Sequence, residues 1–159
     1  MNFLRVLPCL GLCVCLGAQS MDLRPKGGGD LRIGGTQYRF ELTGLSSAPP
    51  KGGLPGAVKL EGNLVPKDSS RPFHLTLTIL KNGSLYLLYI HRSASGGYPD
   101  SWSPSLQARL KAGTRALKLE DRPGGRVELS CEGTLTGMIG RQPQEATWSG
   151  SLWAVFPGD

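Results

Sequence analysis

The chain's two histidines, His74 and His91, bracket the stretch "HLTLTILKNGSLYLLYIH". Both arms alternate in the manner of strands and meet at Asn82-Gly83, a dipeptide that specifies a tight hairpin between such runs. A two-residue turn there pairs Ile79 with Tyr86, Leu77 with Leu88 and Leu75 with Ile90 on one face. The other face then pairs Leu80 with Leu85, Thr78 with Leu87, Thr76 with Tyr89 and His74 with His91. Directly opposed side chains have Cβ atoms ~5 Å apart, close enough for two imidazoles to share a metal ion. Zinc takes three or four ligands, and the carboxylates that flank the pair in sequence are Asp68 and Asp100. No H-x-H or H-E-x-x-H spacing accompanies them. The expectation is therefore two histidines at a wet strand end, with a metal-dependent hydrolase built on His74 and His91 as the alternative.

The same end of the hairpin receives two breaker-rich loops, 66–72 and 93–104. The second carries Tyr98, Asp100 and Trp102 among glycines and serines. Loops held by a rigid sheet are where binding residues gather, and aromatic rings beside a carboxylate can stack on a sugar or apolar ligand and bond its rim. The opposing reading is that both rings fold back and plug the end of the barrel, because large aromatics are mostly buried. His74, His91, Tyr98, Asp100 and Trp102 form the candidate ligand-binding set.

Other chemistry is thin. Cys131 shares an alternating face with Val127, Leu129 and Leu135, which predicts a buried, inert thiol and not a nucleophile. There is no G-x-S-x-G elbow, S-x-x-K, C-x-x-C, P-loop or dinucleotide fingerprint, so a non-catalytic protein without cofactors is expected. Arg109, Lys111 and Lys118 share one face if 104–120 folds as a hairpin, a patch suited to weak contact with anionic surfaces. No aromatic residues interleave with these cations to stack bases, which argues against nucleic acid.

The elements that must position these residues are strands. Alternation marks "TQYRFELTG", "AVKLEGNLV", "RVELSCEGTLT" and "ATWSGSLWAVF". "SLQARLKAGTRALKLED" reads as a hairpin turning at Ala112-Gly113, aligning Leu106 with Leu119 and Ala108 with Leu117, or as a short helix after Ser103-Pro104. A motif of apolar-x-Gly-x-Leu recurs at "LEGNL", "CEGTL" and "WSGSL". Glycine on the apolar face of a strand marks a bend or the close approach of a neighbouring ring or backbone, which suits a small curved barrel. If the last two strands turn at Arg141-Gln142, Gly133 faces Gly150 and Leu135 faces Trp148. "TWSGSL" is similar to motifs of small ligand-holding barrels of the avidin and lipocalin kind; it covers under a tenth of the chain and adds only to the expectation of a barrel.

The N-terminus reads as a secretory signal peptide over 1–20: Arg5, an apolar run from Val6 to Leu16, then Ala18-Gln19-Ser20. That run is too short to span a bilayer, which takes ~20 residues. Cys9, Cys13 and Cys15 depart with it, leaving Cys131 alone and no internal disulfide. Without Arg5, 17 basic residues face 12 acidic ones, a net charge near +5 that favours solubility without specifying a partner.

These readings predict a signal peptide (1–20), a flexible mature N-terminus (21–30) and one all-β domain (31–159). The domain has about eight antiparallel strands in a small barrel or barrel-like sandwich. The expected function is a secreted or periplasmic binding module for a small ligand or surface component. A small outer-membrane barrel is a further alternative, disfavoured by the charged polar face and compact apolar face of 126–136. N-terminal sequencing of exported protein is expected to begin at Met21; a chain retaining its first 20 residues contradicts the leader.

Overall fold

The computed structural model describes residues 24–53, 55–68, 71–92, 100–104 and 114–158. The leader read at 1–20 lies outside them. Among the described residues nine strands follow in order: β1 (Lys26–Ile33), β2 (Thr36–Ala48), β3 (Ala57–Pro66), β4 (Phe73–Leu80), β5 (Leu85–Arg92), β6 (Asp100–Pro104), β7 (Arg115–Leu119), β8 (Arg126–Ile139) and β9 (Gln142–Val155). Every pairing is antiparallel, and the run from β6 through β5, β4, β3, β2, β1 and β9 to β8 closes on itself because β6 also pairs with β8. The chain is an eight-stranded antiparallel β-barrel.

The eighth place is shared. β6 bonds residues 135–138 of β8, while β7 bonds residues 127–130 of the same strand. β6 also pairs with the end of β5 through Ile90–Trp102, and β7 reaches the start of β5 through a bridge between Ser84 and Arg115. Two short strands in line thus complete a wall that one strand forms elsewhere. The expected loop at 93–104 is corrected here, since Asp100–Pro104 is β6. Residues 115–119 are a strand, as a hairpin over 104–120 requires, but their described partner is β8; the proposed other arm, with Leu106, Ala108, Arg109 and Lys111, lies outside the described residues. Leu117 sits at a bulge and is exposed, so it does not share a buried face with Leu119.

Alternation assigns the faces. Leu31, Phe40, Val58, Leu60, Leu64, Leu75, Leu77, Ile79, Leu88, Ile90, Val127, Leu129, Leu135 and Leu152 point inward, each no more than 1% exposed. Burying a side chain of this size contributes roughly 1.5–3 kcal/mol, so the interior is a packed core and not a channel. Cys131 joins that core, and burial pushes its thiol pKa up to about 12.

Turn chemistry explains the departures from the expected registers. The β4–β5 loop has three residues, not two: Leu80 N–H donates to the Ser84 carbonyl, and only Gly83 is left-handed, with φ 87°. The Asn82 carboxamide oxygen accepts from Ser84 N–H at 3.0 Å and from its hydroxyl. A type I turn followed by a left-handed residue is the usual three-residue hairpin, and its extra residue has to be absorbed further along. Tyr86 is that residue: Ile79 pairs with Leu85 and Thr78 with Leu87, leaving Tyr86 bulged outward and 53% exposed instead of facing the core. Beyond the bulge the expected pairs hold, His74–His91 among them.

Between β8 and β9 the turn is Gly140-Arg141, with φ 58° and 67°. A type I′ turn needs positive φ at both central residues, which Gly140 satisfies without strain. The register is therefore two residues from the expected one: Gly133 faces Trp148 and Leu135 faces Ala146. The Trp148 indole covers Gly133, with Nε1 3.2 Å from where a Cβ would stand.

Residues 26–30, expected as part of a flexible N-terminus, form most of β1, hydrogen-bonded between β2 and β9. A Cβ on Gly29 would lie 2.2 Å from the Ser151 carbonyl oxygen, so this glycine-rich run is a close-contact strand. Lys26 is paired with Val155, which brings the outer ends of β1 and β9 together.

Gly62 shows how the recurrent glycine shapes the wall. A Cβ there would sit 2.3 Å from the Phe40 ring and 2.4 Å from the Glu41 carbonyl oxygen. Gly62→Ala is expected to cost about 1–3 kcal/mol by overpacking, measured by denaturant unfolding; a neutral substitution contradicts this packing.

Candidate functional site

One end of the barrel gathers the β1–β2 and β8–β9 turns, the end of β3, the start of β4, the end of β5 and the start of β6. A cavity of about 420 Å³ opens there, lined by Tyr38, Asp68, Phe73, Arg92, Trp102 and Glu145 together with smaller residues. Its floor is set by the packed core. Trp102 stands on β6 with inward parity and is 7% exposed, so it forms wall and partial plug at once. Tyr38 and Phe73 meet edge to face, centroids 6.1 Å apart, an arrangement aromatic quadrupoles favour. Loss of hydration raises the Tyr38 phenol pKa, with the Asp68 carboxylate pushing the same way against Arg92 and a Thr36 hydrogen bond.

A polar clasp holds this end together. Asp100 Oδ2 accepts from Arg92 Nε at 2.8 Å, and Asp100 Oδ1 accepts from the Gly140 N–H at 2.8 Å. One carboxylate thereby ties β6 to β5 and to the β8–β9 turn. Arg92 lays its guanidinium 4.4 Å from the Phe73 ring centroid and donates from Nη1 to the Arg71 carbonyl at 3.4 Å. The Gly140 hydrogen bond, then that of Arg92, hold the Asp100 carboxyl below its usual range although burial opposes them.

The two histidines are elsewhere. Leu75 and Ile90 point inward, so their neighbours His74 and His91 point out of the wall, rings edge to face with centroids 5.4 Å apart. Tyr89 stacks on the far side of His91 at 4.9 Å. They line an outer groove of about 310 Å³ with Asn63, Arg71, Pro72 and Arg92, the last of which also lines the mouth. Burial, then the charge of His74, lowers the His91 pKa, and its buried Nδ1 has no hydrogen-bond partner.

The candidate set from sequence is thus divided by the wall. Asp100 and Trp102 belong to the mouth, His74 and His91 to the outer groove, and Tyr98 lies outside the described residues. Asp68 lines the mouth, and Asp100 is engaged in the clasp, so neither suggested carboxylate stands with the histidines in their groove. Among the described residues no three of His, Cys, Asp and Glu cluster as a metal site. Lys118 pairs with Glu120 at 3.3 Å, and its proposed companions Arg109 and Lys111 are not described.

Sequence reasoning missed Tyr38, Phe73 and Arg92. The signal was present in parity: Arg92 follows Leu88 and Ile90 on the inward face, where a cation at a strand end implies a partner. Comparison with protein-family models, with curated proteins and with solved structures gives no match for this chain.

Asp100→Asn keeps the shape but removes the charge facing Arg92, and is expected to destabilise the barrel by about 2 kcal/mol. Because the folded pKa is depressed, the stabilisation from Asp100 is present above the unfolded value near 4 and is lost as pH falls through the folded pKa. The wild-type advantage over Asp100→Asn in urea unfolding should be full at pH 7 and shrink below pH ~4; a gap independent of pH contradicts the clasp.

Proposed function

We propose that the chain is an exported, non-catalytic binding module that takes a small amphipathic ligand at the barrel mouth. The observation that carries this reading is the mouth itself: about 420 Å³ bounded by three aromatic rings and a few charged groups. Ligand sites are concave, ~300–1,000 Å³ in volume and recurrent in the mouths of β-barrels; this mouth has the volume and the position, with a lining more polar than apolar. The packed core beneath limits entry to the rim, which suits a ligand part that is flat or short. Gln144 and Glu145 offer acceptors at the edge, while Arg92 is already engaged by Asp100.

The outward residues favour a barrel in water over one in lipid. Lys59 and Glu61 pair at 2.7 Å on the outer wall, and Arg39–Glu41 and Arg126–Glu128 form like pairs. A membrane barrel needs an apolar outer band instead.

Binding of the neutral dye Nile red is the first test. Ala146→Phe, which puts a ring into the mouth, should weaken dye binding at least tenfold, about 1.4 kcal/mol. Trp153→Ala, on the outer wall and 37% exposed, should leave it unchanged. No dye binding, or equal losses in both variants, removes the mouth as the site.

A further inference from the structure

The outer groove is chemically unlike the mouth. Its polar lining is Asn63, Arg71, His74, His91 and Arg92: guanidinium, carboxamide and imidazole groups, with no carboxylate among the described residues that line it. We propose that this groove binds a tetrahedral oxyanion, phosphate or sulfate, through Asn63, Arg71, His74 and His91.

Three observations converge on an anion. First, the groups present are donors arranged on one wall: β3 supplies Asn63, β4 supplies His74 directly beside it, and β5 supplies His91 directly beside that. Cross-strand neighbours in one row reach a common point above the sheet. Arg71 overhangs the row from the segment before β4, its carbonyl tied to Arg92 and its guanidinium left out of that bond. A planar guanidinium matches the oxygen spacing of phosphate.

Second, the wiring of His91 aims a donor outward. Nδ1 is buried without a partner, and an orphaned buried N–H is the costlier defect. The neutral ring therefore carries its proton on Nε2, away from the buried nitrogen, where it can donate to an anion.

Third, the field is wrong for a metal. Two imidazoles alone make an incomplete zinc shell, and the Arg71 guanidinium lines the same groove, where the charge of Arg92 is already met by Asp100. A dication placed there faces like charge, whereas an oxyanion meets complementary charge. The volume of about 310 Å³ is large against the ~30 Å³ share of one water, so the ion can arrive carried on an ester.

The test uses the full chain with histidine-labelled NMR. Titration with inorganic phosphate and with sulfate at constant ionic strength should shift the His74 and His91 resonances saturably, and acetate should not. Arg71→Gln should weaken phosphate binding about tenfold while the melting temperature stays put, because the hydrogen bond that ties Arg71 to Arg92 is made by its backbone carbonyl, which the substitution keeps. Asn63→Ala provides a second, independent loss. Absence of a saturable shift, an unchanged affinity in Arg71→Gln, or tighter saturable binding of zinc than of phosphate would overturn the proposal. Given phosphate binding, sedimentation with phosphatidylcholine vesicles containing phosphatidic acid separates sources: capture abolished by Arg71→Gln assigns a lipid headgroup, and no capture assigns a soluble phosphate or its ester. Ala146→Phe fills the mouth, whose lining includes Arg92 but not Asn63, Arg71, His74 or His91, so failure of either site leaves the other measurable.

Discussion

The barrel closes through a strand of five residues, and one carboxylate anchors it. β6 is too short for its own ladder to hold the seam between β5 and β8. Asp100 adds a charge-assisted bond to Arg92 on one side and a bond to the Gly140 N–H on the other. Bonds of this kind are roughly twice as strong as neutral ones, and Asp100 is 8% exposed, so water competes poorly. The Arg92 position, the Phe73 beneath it and the Trp102 wall all follow from that closure. The mouth exists in its observed shape because the clasp holds its rim.

Much of this architecture was legible in the chain. Period-two alternation identified the long strands and their faces, since burying leucines at every second residue leaves little choice of side. Asn82-Gly83 correctly implied a hairpin and the facing of His74 and His91. The recurrent glycines pointed to curvature, which Gly62 under Phe40 and Gly133 under Trp148 now explain. What failed was local. A three-residue loop and a two-residue loop differ by a bulge whose place depends on long-range packing, so Tyr86 could not be assigned from its neighbours. The β8–β9 register hinged on whether Gly140-Arg141 or Arg141-Gln142 occupied the turn, and nothing in the flanking pattern separates them, because a two-residue slip preserves every face.

The placement of the candidate residues was legible only in part. The candidate residues were treated as one surface, whereas the wall sets Asp100 and Trp102 apart from His74 and His91, and Tyr98 lies outside the described residues. Pro99-Asp100 and Ser103-Pro104 mark the two ends of β6 with signals that read as loop, and a five-residue strand that begins and ends on such signals is weak by any local measure. Only closure of the sheet makes them a strand, and closure is a property of the whole ring. Arg92 was overlooked because a charged residue after an apolar run resembles a strand end, not an inward-facing partner for a carboxylate eight residues on.

The pairing of Lys26 with Val155 sets the geometry of attachment. The start of β1 and the end of β9 lie side by side at the pole opposite the mouth. Whatever chain precedes the first strand or follows the last departs from that pole. A tether, a fused domain or a resin linked through either end therefore attaches at the pole away from the mouth, so the barrel is held by its base.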